Sequence, residues 1–180
     1  MAILGTISGR GVKVVVVAVV VAFLLMPGAV FAAGLGGLSP RLVAVADGPS
    51  GLKWLGGDSE SPLMHPGMSC ITCHAKGEGP KLTVAGTVFT KIDEKDDYFG
   101  VEGVTVQLVD AKGKSVDLVT NKAGNFMLAA RKAVLVPPFS VKVLKGKAVN
   151  VMESPAPSGN CASCHTSAGV GGAPGRVMAP

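Results

Sequence analysis

The sequence predicts a small, mainly β protein: an antiparallel β-sandwich with short helical segments at both of its ends. Between residues 82 and 152, short runs of alternating apolar and polar side chains recur about every ten residues, separated by turn-forming residues. A Cys-x-x-Cys-His motif stands on each side of this region, and a helical turn is needed to hold the two thiols of each motif together. With 180 residues, the chain is expected to hold one domain, or one small domain with appendages.

Residues 1–32 are predicted to be a signal peptide. Arg10 and Lys13 form a short basic region, an unbroken apolar run follows, and the small residues that a signal peptidase requires end at Ala32. An uncleaved membrane anchor is the alternative, because the uncharged stretch 14–33 has about the length, roughly 20 residues, that spans a bilayer. Cleavage is favoured, because a Pro-Gly pair breaks the apolar run where the cleavage region begins. We therefore expect export to the periplasm or the cell exterior, with no stable membrane span after cleavage.

Residues 33–62 are predicted to be a flexible leader, because they are rich in Gly, Ser, Pro and Asp and hold no sustained period. The remaining residues, 63–180, are predicted to form the functional domain. The formal net charge of the whole chain is +5, from 17 basic and 12 acidic side chains, and loss of Arg10 and Lys13 leaves 15 against 12, or +3. No basic run carries interleaved aromatic residues, and one Trp and one Tyr cannot build a stacking platform, so we expect no nucleic-acid partner.

The four cysteines of the chain all belong to two copies of one motif. Residues 70–74 read Cys-Ile-Thr-Cys-His, and residues 161–165 read Cys-Ala-Ser-Cys-His. Two thiols three residues apart on one turn can both form thioethers with the vinyl groups of one haem, and the following His is then held under the ring as the proximal iron ligand. We therefore predict two covalently attached haem c groups, held by Cys70, Cys73, Cys161 and Cys164, with His74 and His165 as proximal iron ligands.

Zinc and disulfide chemistry are the alternatives for these cysteines. Two Cys-x-x-Cys pairs can form one four-cysteine zinc site, and each pair can form a disulfide or a redox dithiol. Neither alternative explains why a His follows the second Cys in both copies, when the chain has only 3 His. The haem prediction is therefore favoured.

The sixth ligand of each iron is restricted by the small number of remaining donors. His65 is the single His outside the motifs, so at most one iron can have two His ligands from the same chain. Met64 and His65 lie far enough before His74 to wrap around a haem edge at about 3.3 Å per residue. Around His165, a Met at equal distance on either side can close over the second haem. The candidate distal ligands are Met64, His65, Met152 and Met178, and ordinary packing is the alternative for each.

The sandwich region, 82–152, is predicted to contain six strands between a first haem segment, 63–81, and a second, 153–180. Leu82 to Phe89 is rich in β-forming residues, and Gly86 within it indicates a bulge or a close approach. The other strand-like runs are 104–108, 115–120, 126–128, 139–144 and 148–152, joined by turns at 110–113, 121–125 and 145–147. The acidic run 93–97 lacks the spacing of a calcium loop and is expected to be solvated.

Three stretches of this region resemble a known fold. Residues 84–88, 103–108 and 120–126 are similar to the carboxypeptidase regulatory-like (prealbumin-like) β-sandwich. Residues 64–180 as a whole resemble a family of exported bacterial proteins, common in myxobacteria, in which two Cys-x-x-Cys-His motifs flank that sandwich. Met64, Pro66 and Gly67 match the family's opening, and 172–177 match its closing segment. The resemblance implies haem attachment and favours Met64 over His65 as distal ligand; Tyr98-Phe99 departs from the Cys and Asn that relatives often carry.

The function predicted from these features is one-electron transfer by an exported dihaem c-type cytochrome, an electron carrier rather than an enzyme. Its expected partners are other redox proteins or cytochromes, and self-association into an oligomer or a haem-stacking filament is a further prediction. A peroxidase-like haem enzyme with one open iron is an alternative, although no distal His and Arg pair is evident beyond His65. A β-sandwich binding module without haem is the other alternative.

Replacing Met64 by Ala is expected to convert one haem to a high-spin or weak-ligand spectrum, because the iron would lose a thioether ligand. The measurement is the absorption spectrum of the haem-loaded variant beside that of the wild type. An unchanged low-spin spectrum would remove Met64 from the candidate ligands.

Overall fold

A computed structural model of the chain describes residues 61–180 and the backbone of two short strands, β1 (Val43–Ala44) and β2 (Leu52–Lys53). These two strands pair with each other in antiparallel orientation inside the predicted leader. The predicted signal peptide and the rest of the leader up to residue 60 lie outside the described residues. Within the described residues, no helix is long and apolar enough to cross a membrane.

Residues 61–180 form seven strands and two short helical segments. In chain order these elements are α1 (Cys70–Ala75), β3 (Leu82–Phe89), β4 (Thr105–Val109), β5 (Ser115–Val119), β6 (Asn125–Ala129), β7 (Ser140–Lys145), β8 (Ala148–Val151), a 3₁₀ helix (Cys161–Ser163) and β9 (Val177–Met178). The six runs predicted to be strands coincide with β3 to β8 to within two residues at either end. The three turns between them also lie where the sequence predicts, with Gly113, Gly124 and Gly146 at positive φ.

The seven strands β3 to β9 form two sheets, which confirms the predicted small, mainly β sandwich with helical segments at both motifs. One sheet has the order β5-β4-β7-β8 and is antiparallel throughout. The other has the order β6-β3-β9. In it β6 runs antiparallel to β3, and β9 runs parallel to β3.

One hydrophobic core lies between the sheets, and the period of two along the strands fills it. In and just before β4, Val104, Val106 and Leu108 are at most 1% exposed, whereas the intervening Thr105 and Gln107 are only half-buried. The same core cluster includes Val84, Val88, Phe126 and Leu128 from the three-stranded sheet and Val143 from the four-stranded sheet.

The short strand β9 was not predicted. Val177 and Met178 pair with Val88 and Phe89, and Asn160 forms a parallel bridge with Ala85 farther back along the same edge of β3. A two-residue strand carries no period that a sequence can show, because its pairing depends on an edge that is far away in the chain. The second haem segment therefore joins β3 at Asn160, leaves it, and returns to it at Val177.

Gly86 is a point of close approach and not a bulge. A Cβ atom at this position would lie 2.7 Å from Cζ of Phe126 and 2.9 Å from Cβ of Cys161. The register shift between β3 and β6 occurs instead between Leu82 and Val84. The missing side chain thus lets the Phe126 ring and the second motif pack directly on β3.

The acidic run 93–97 is only in part the solvated loop that the sequence predicts. Asp93 and Lys95 are exposed, but Glu94 and Asp96 are 8% and 5% exposed, and Asp97 forms an ion pair with Arg176 at 3.0 Å. The ion pair could not be predicted, because Arg176 lies about eighty residues later in the chain than Asp97.

Replacing Val106 by Ala is expected to lower the free energy of unfolding by about 2–3 kcal/mol, because this side chain is 0% exposed and its loss leaves a cavity. Val134→Ala is the matched control, since Val134 is 77% exposed and the same change there should stay within about 0.5 kcal/mol. Urea denaturation of both variants measures the difference. Equal losses in the two variants would contradict the core described above.

Candidate functional site

Both Cys-x-x-Cys-His motifs lie against the same strand. Helix α1, which carries Cys70 to His74, packs on β3. The 3₁₀ helix that carries Cys161 also packs on β3, directly after the bridge between Asn160 and Ala85. Motifs separated by about ninety residues are thereby brought to one place on the sandwich.

The residues that precede the two motifs hydrogen-bond to each other. The Ser69 hydroxyl lies within hydrogen-bonding distance of both polar atoms of the Asn160 amide. It can donate to Oδ1 at 3.0 Å and accept from Nδ2 at 2.8 Å. Ser and Asn are typical helix N-cap residues, and each occupies the N-cap position of its helix. Neither side chain caps its own helix; the two side chains join the segments instead.

The two motif histidines are held in the same way. Nδ1 of His74 lies 2.7 Å from the carbonyl oxygen of Pro80, and Nδ1 of His165 lies 2.8 Å from that of Gly175. A carbonyl oxygen can only accept, so in both rings Nδ1 carries the proton and donates it. Nε2 of each ring is then the nitrogen left for another partner, and a metal-ligating His commonly donates its other ring N–H to a carbonyl in this manner.

All four cysteines are free thiols. Cys73 is exposed and the other three are half-buried. Burial raises the pKa of the Cys70 thiol, and it raises that of Cys161 to about 12, with smaller contributions from the neighbouring Cys70 and Cys164. Cys161 packs against the hydrophobic core, so its thiol is protonated at neutral pH.

Apolar side chains beside both motifs lie open to solvent. Met68, two residues before Cys70, is 57% exposed, and Val170, whose N–H donates to the carbonyl of Cys164, is 53% exposed. A flat apolar group attached at either motif would find apolar surface beside it. Two thiols, an imidazole held at Nδ1 with its Nε2 left for a metal, and neighbouring apolar surface together fit a covalently attached haem at each motif.

A loop that holds two candidate distal ligands is anchored by side chains of the sheet. Nδ2 of Asn125 donates to the carbonyl of Met64 at 2.8 Å, and the N–H of Gly67 donates to the Thr87 hydroxyl at 2.9 Å. Within this loop Met64 is half-buried, and His65 is exposed with φ of +40°. The backbone that carries these two residues is therefore held by direct bonds to β3 and β6.

The other two candidate distal ligands lie in or next to strands. Met152 follows β8 and packs against the hydrophobic core, which is the ordinary packing left open as its alternative. Met178 belongs to β9, is half-buried, and accepts a hydrogen bond at its carbonyl from Nδ2 of Asn150 at 3.2 Å. The sixth ligand of each iron stays a prediction.

Arg176 joins the two motif segments, and sequence reasoning missed it. Its guanidinium is buried and donates to the carbonyl of Glu94 at 3.1 Å, the carbonyl of Gly67 at 3.2 Å and Oδ1 of Asp97 at 3.0 Å. Its Cζ lies 4.6 Å from the centre of the Phe89 ring. Burial raises the pKa of the Asp97 carboxyl, and the Arg176 charge opposes that rise. The signal in the sequence was that Arg176 is the one Lys or Arg after Lys147.

Gly67 of the first motif segment and His165 of the second line one small depression together with Thr87 and Phe89 of β3. Among the described residues, no three His, Cys, Asp or Glu side chains converge in a group that could hold a metal ion. Comparison with protein-family models, with curated proteins and with solved structures finds no match to this chain.

Replacing Arg176 by Met is expected to lower the free energy of unfolding by about 3 kcal/mol, because two buried carbonyls and Asp97 lose their donor. Arg176→Lys keeps the charge but cannot donate to three acceptors in a fork, so it should fall between wild type and Arg176→Met. The exposed Arg131→Met is the control and should change stability by less than about 0.5 kcal/mol. Urea denaturation that finds Arg176→Met as stable as Arg131→Met would contradict the linking role of Arg176.

Proposed function

We propose that this protein is an exported dihaem c-type cytochrome that carries single electrons between redox proteins in the periplasm or outside the cell. The observation that carries the proposal is the repeated donor set: each motif has two free thiols and a His whose Nδ1 donates to a carbonyl. A four-cysteine zinc site or a disulfide would use neither His, whereas a His that donates from Nδ1 presents Nε2 to a metal ion. The family resemblance of residues 64–180 supports the same proposal.

The residues that would hold the first haem are Cys70, Cys73 and His74, and those that would hold the second are Cys161, Cys164 and His165. Haem c, when bound, supplies an iron that changes reversibly between the ferric and ferrous states and so exchanges one electron. The protein would contribute the two imidazoles, their orientation and the surroundings that tune the potential. The hydrogen bonds from the imidazoles to the carbonyls of Pro80 and Gly175 would fix the orientation of the rings.

The fold also favours electron exchange within the chain. The first and last strands of the domain, β3 and β9, are paired, and Ser69 and Asn160 join the two motifs directly. A pair of cofactors attached to such neighbouring segments needs no movement of the protein to approach each other. Hydrogen bonds donated by Arg176 and Asn125, and one accepted by the Thr87 hydroxyl, hold the loop before the first motif in one arrangement, so little of the polypeptide has to reorganise when charge moves.

Solvent access at the motifs agrees with a carrier. Cys73 is exposed, and His74 and His165 are half-buried rather than enclosed in the core. An electron carrier exchanges electrons through an exposed cofactor edge and needs no enclosed substrate pocket. Partner redox proteins, and assembly of several copies into a filament, remain predictions of the sequence.

Haem attachment is tested by the intact mass and the reduced-minus-oxidised absorption spectrum of protein exported by a host with cytochrome c maturation machinery. We expect a mass gain of two haems and sharp α and β bands on reduction. Cys70→Ala/Cys73→Ala and Cys161→Ala/Cys164→Ala should each carry one haem fewer, because each removes one pair of thioether bonds. Met68→Ala is the control, and it should retain both haems because it removes no thiol.

A protein that carries no haem mass, with its thiols in disulfides or bound to zinc, would overturn the electron-transfer proposal. The sandwich would then have to be studied as a binding module.

A further inference from the structure

Basic side chains from two distant parts of the chain meet beside the first motif. Lys76 and Lys81 bracket the loop after α1, whose Pro80 carbonyl accepts the bond from His74. Arg131 and Lys132 follow β6, and the N–H of Ala130 donates to the carbonyl of Lys81 at 2.9 Å. We name these four exposed residues, Lys76, Lys81, Arg131 and Lys132, the first-motif basic patch.

The charges of this patch are not neutralised by neighbouring described residues. Between residues 61 and 180 the one ion pair is that of Arg176 with Asp97, so no patch residue is paired with a described acid. Glu78 is the single acidic residue in the loop between Lys76 and Lys81. Lys114 extends the patch, because its Nζ donates to the carbonyl of Val134 at 3.3 Å. The patch therefore presents an excess of positive charge to solvent.

The chain segment around the second motif contains few charged residues. From Ala148 to Gly175 the chain contains no Lys or Arg, and Glu153 is its one acidic residue. Both motifs pack on β3, and the four patch residues lie in the loops next to the first. The chain segment that carries the second motif is therefore less basic than the loops beside the first.

We propose that the first-motif basic patch is the docking surface for an acidic redox protein, which exchanges electrons with the first haem. This inference rests on the proposed function. Complementary charge steers diffusional encounter and selects among partners more than it adds affinity. A patch in the loops next to the first motif would therefore favour encounter at that motif.

An acidic protein fits this surface better than an anionic membrane does. Val134 is 77% exposed two residues beyond Lys132, and it offers an apolar contact point bordered by cations, as in the centre and rim of a protein interface. A lipid surface has no redox centre, so it could neither supply nor accept the electron that the proposed function moves.

The test compares two triple variants with the same change of charge. Lys81→Glu/Arg131→Glu/Lys132→Glu alters the patch, and Lys142→Glu/Lys145→Glu/Lys147→Glu alters exposed lysines of β7 and its following turn. The probe is plastocyanin, a small acidic blue-copper protein, and the reading is the stopped-flow rate at which it oxidises the reduced, haem-loaded protein. Each event transfers one electron from the reduced protein to Cu(II), which becomes Cu(I).

We expect the wild-type rate to fall steeply as ionic strength rises from about 0.01 M to about 1 M, because the Debye length shortens from roughly 30 Å to roughly 3 Å. At the lowest ionic strength the patch variant should be slower by about tenfold or more, and the rates should converge at the highest. The β7 variant should stay within about twofold of wild type.

Three results would overturn the docking proposal while leaving the proposed function intact. The first is a dihaem protein whose oxidation slows equally in both triple variants, since the change of net charge alone would explain that. The second is an oxidation rate that neither variant changes. The third is a patch variant that is oxidised at the wild-type rate but no longer binds phosphatidylserine-containing vesicles, which would assign the patch to a membrane. Intact mass, measured first, separates these results from a failure of haem attachment.

Discussion

Hydrogen bonding along one edge of β3 is the constraint on which the rest of the structure depends. One edge of this strand is taken by β6, and the other is shared by Asn160 and, three residues farther along β3, by β9. The segment that carries the second motif is thus an excursion between two attachments to the same strand. A buried strand edge has to be paired, so this excursion cannot move away without exposing or orphaning backbone groups of β3.

Buried polar side chains complete the arrangement. Arg176, Asn125 and Thr87 each bond to the backbone of the segment before the first motif, and Ser69 bonds to the residue before the second. Such groups add modest net stability when they are paired but cost much more when one partner is lost. They therefore act mainly by restricting the motif segments to one position, which is what an electron carrier with two neighbouring cofactors would need.

Surface charge beside the first motif adds an asymmetry to a site whose two motifs have similar chemistry. The histidines are held alike and the thiols repeat at the same spacing, and Lys76, Lys81, Arg131 and Lys132 cluster in the loops next to the first motif. Pairing of β3 with β6 produces that cluster, since it brings Arg131 and Lys132 to the loop after α1. Under the docking proposal, the same strand pairing that packs the sheet would also favour the approach of an acidic partner at the first motif.

The local patterns of the sequence determined the strands β3 to β8, the turns between them and the residues of both motifs, because side-chain period, turn chemistry and Cys-x-x-Cys-His spacing act over a few residues. Only the tertiary structure decided the parallel pairing of β9, the burial of Glu94 and Asp96, the role of Arg176 and the contact of Ser69 with Asn160. Each of these joins residues tens of positions apart. A contact of that kind leaves no period in the sequence, because it depends on where the sheet edges and loops meet after the chain has folded.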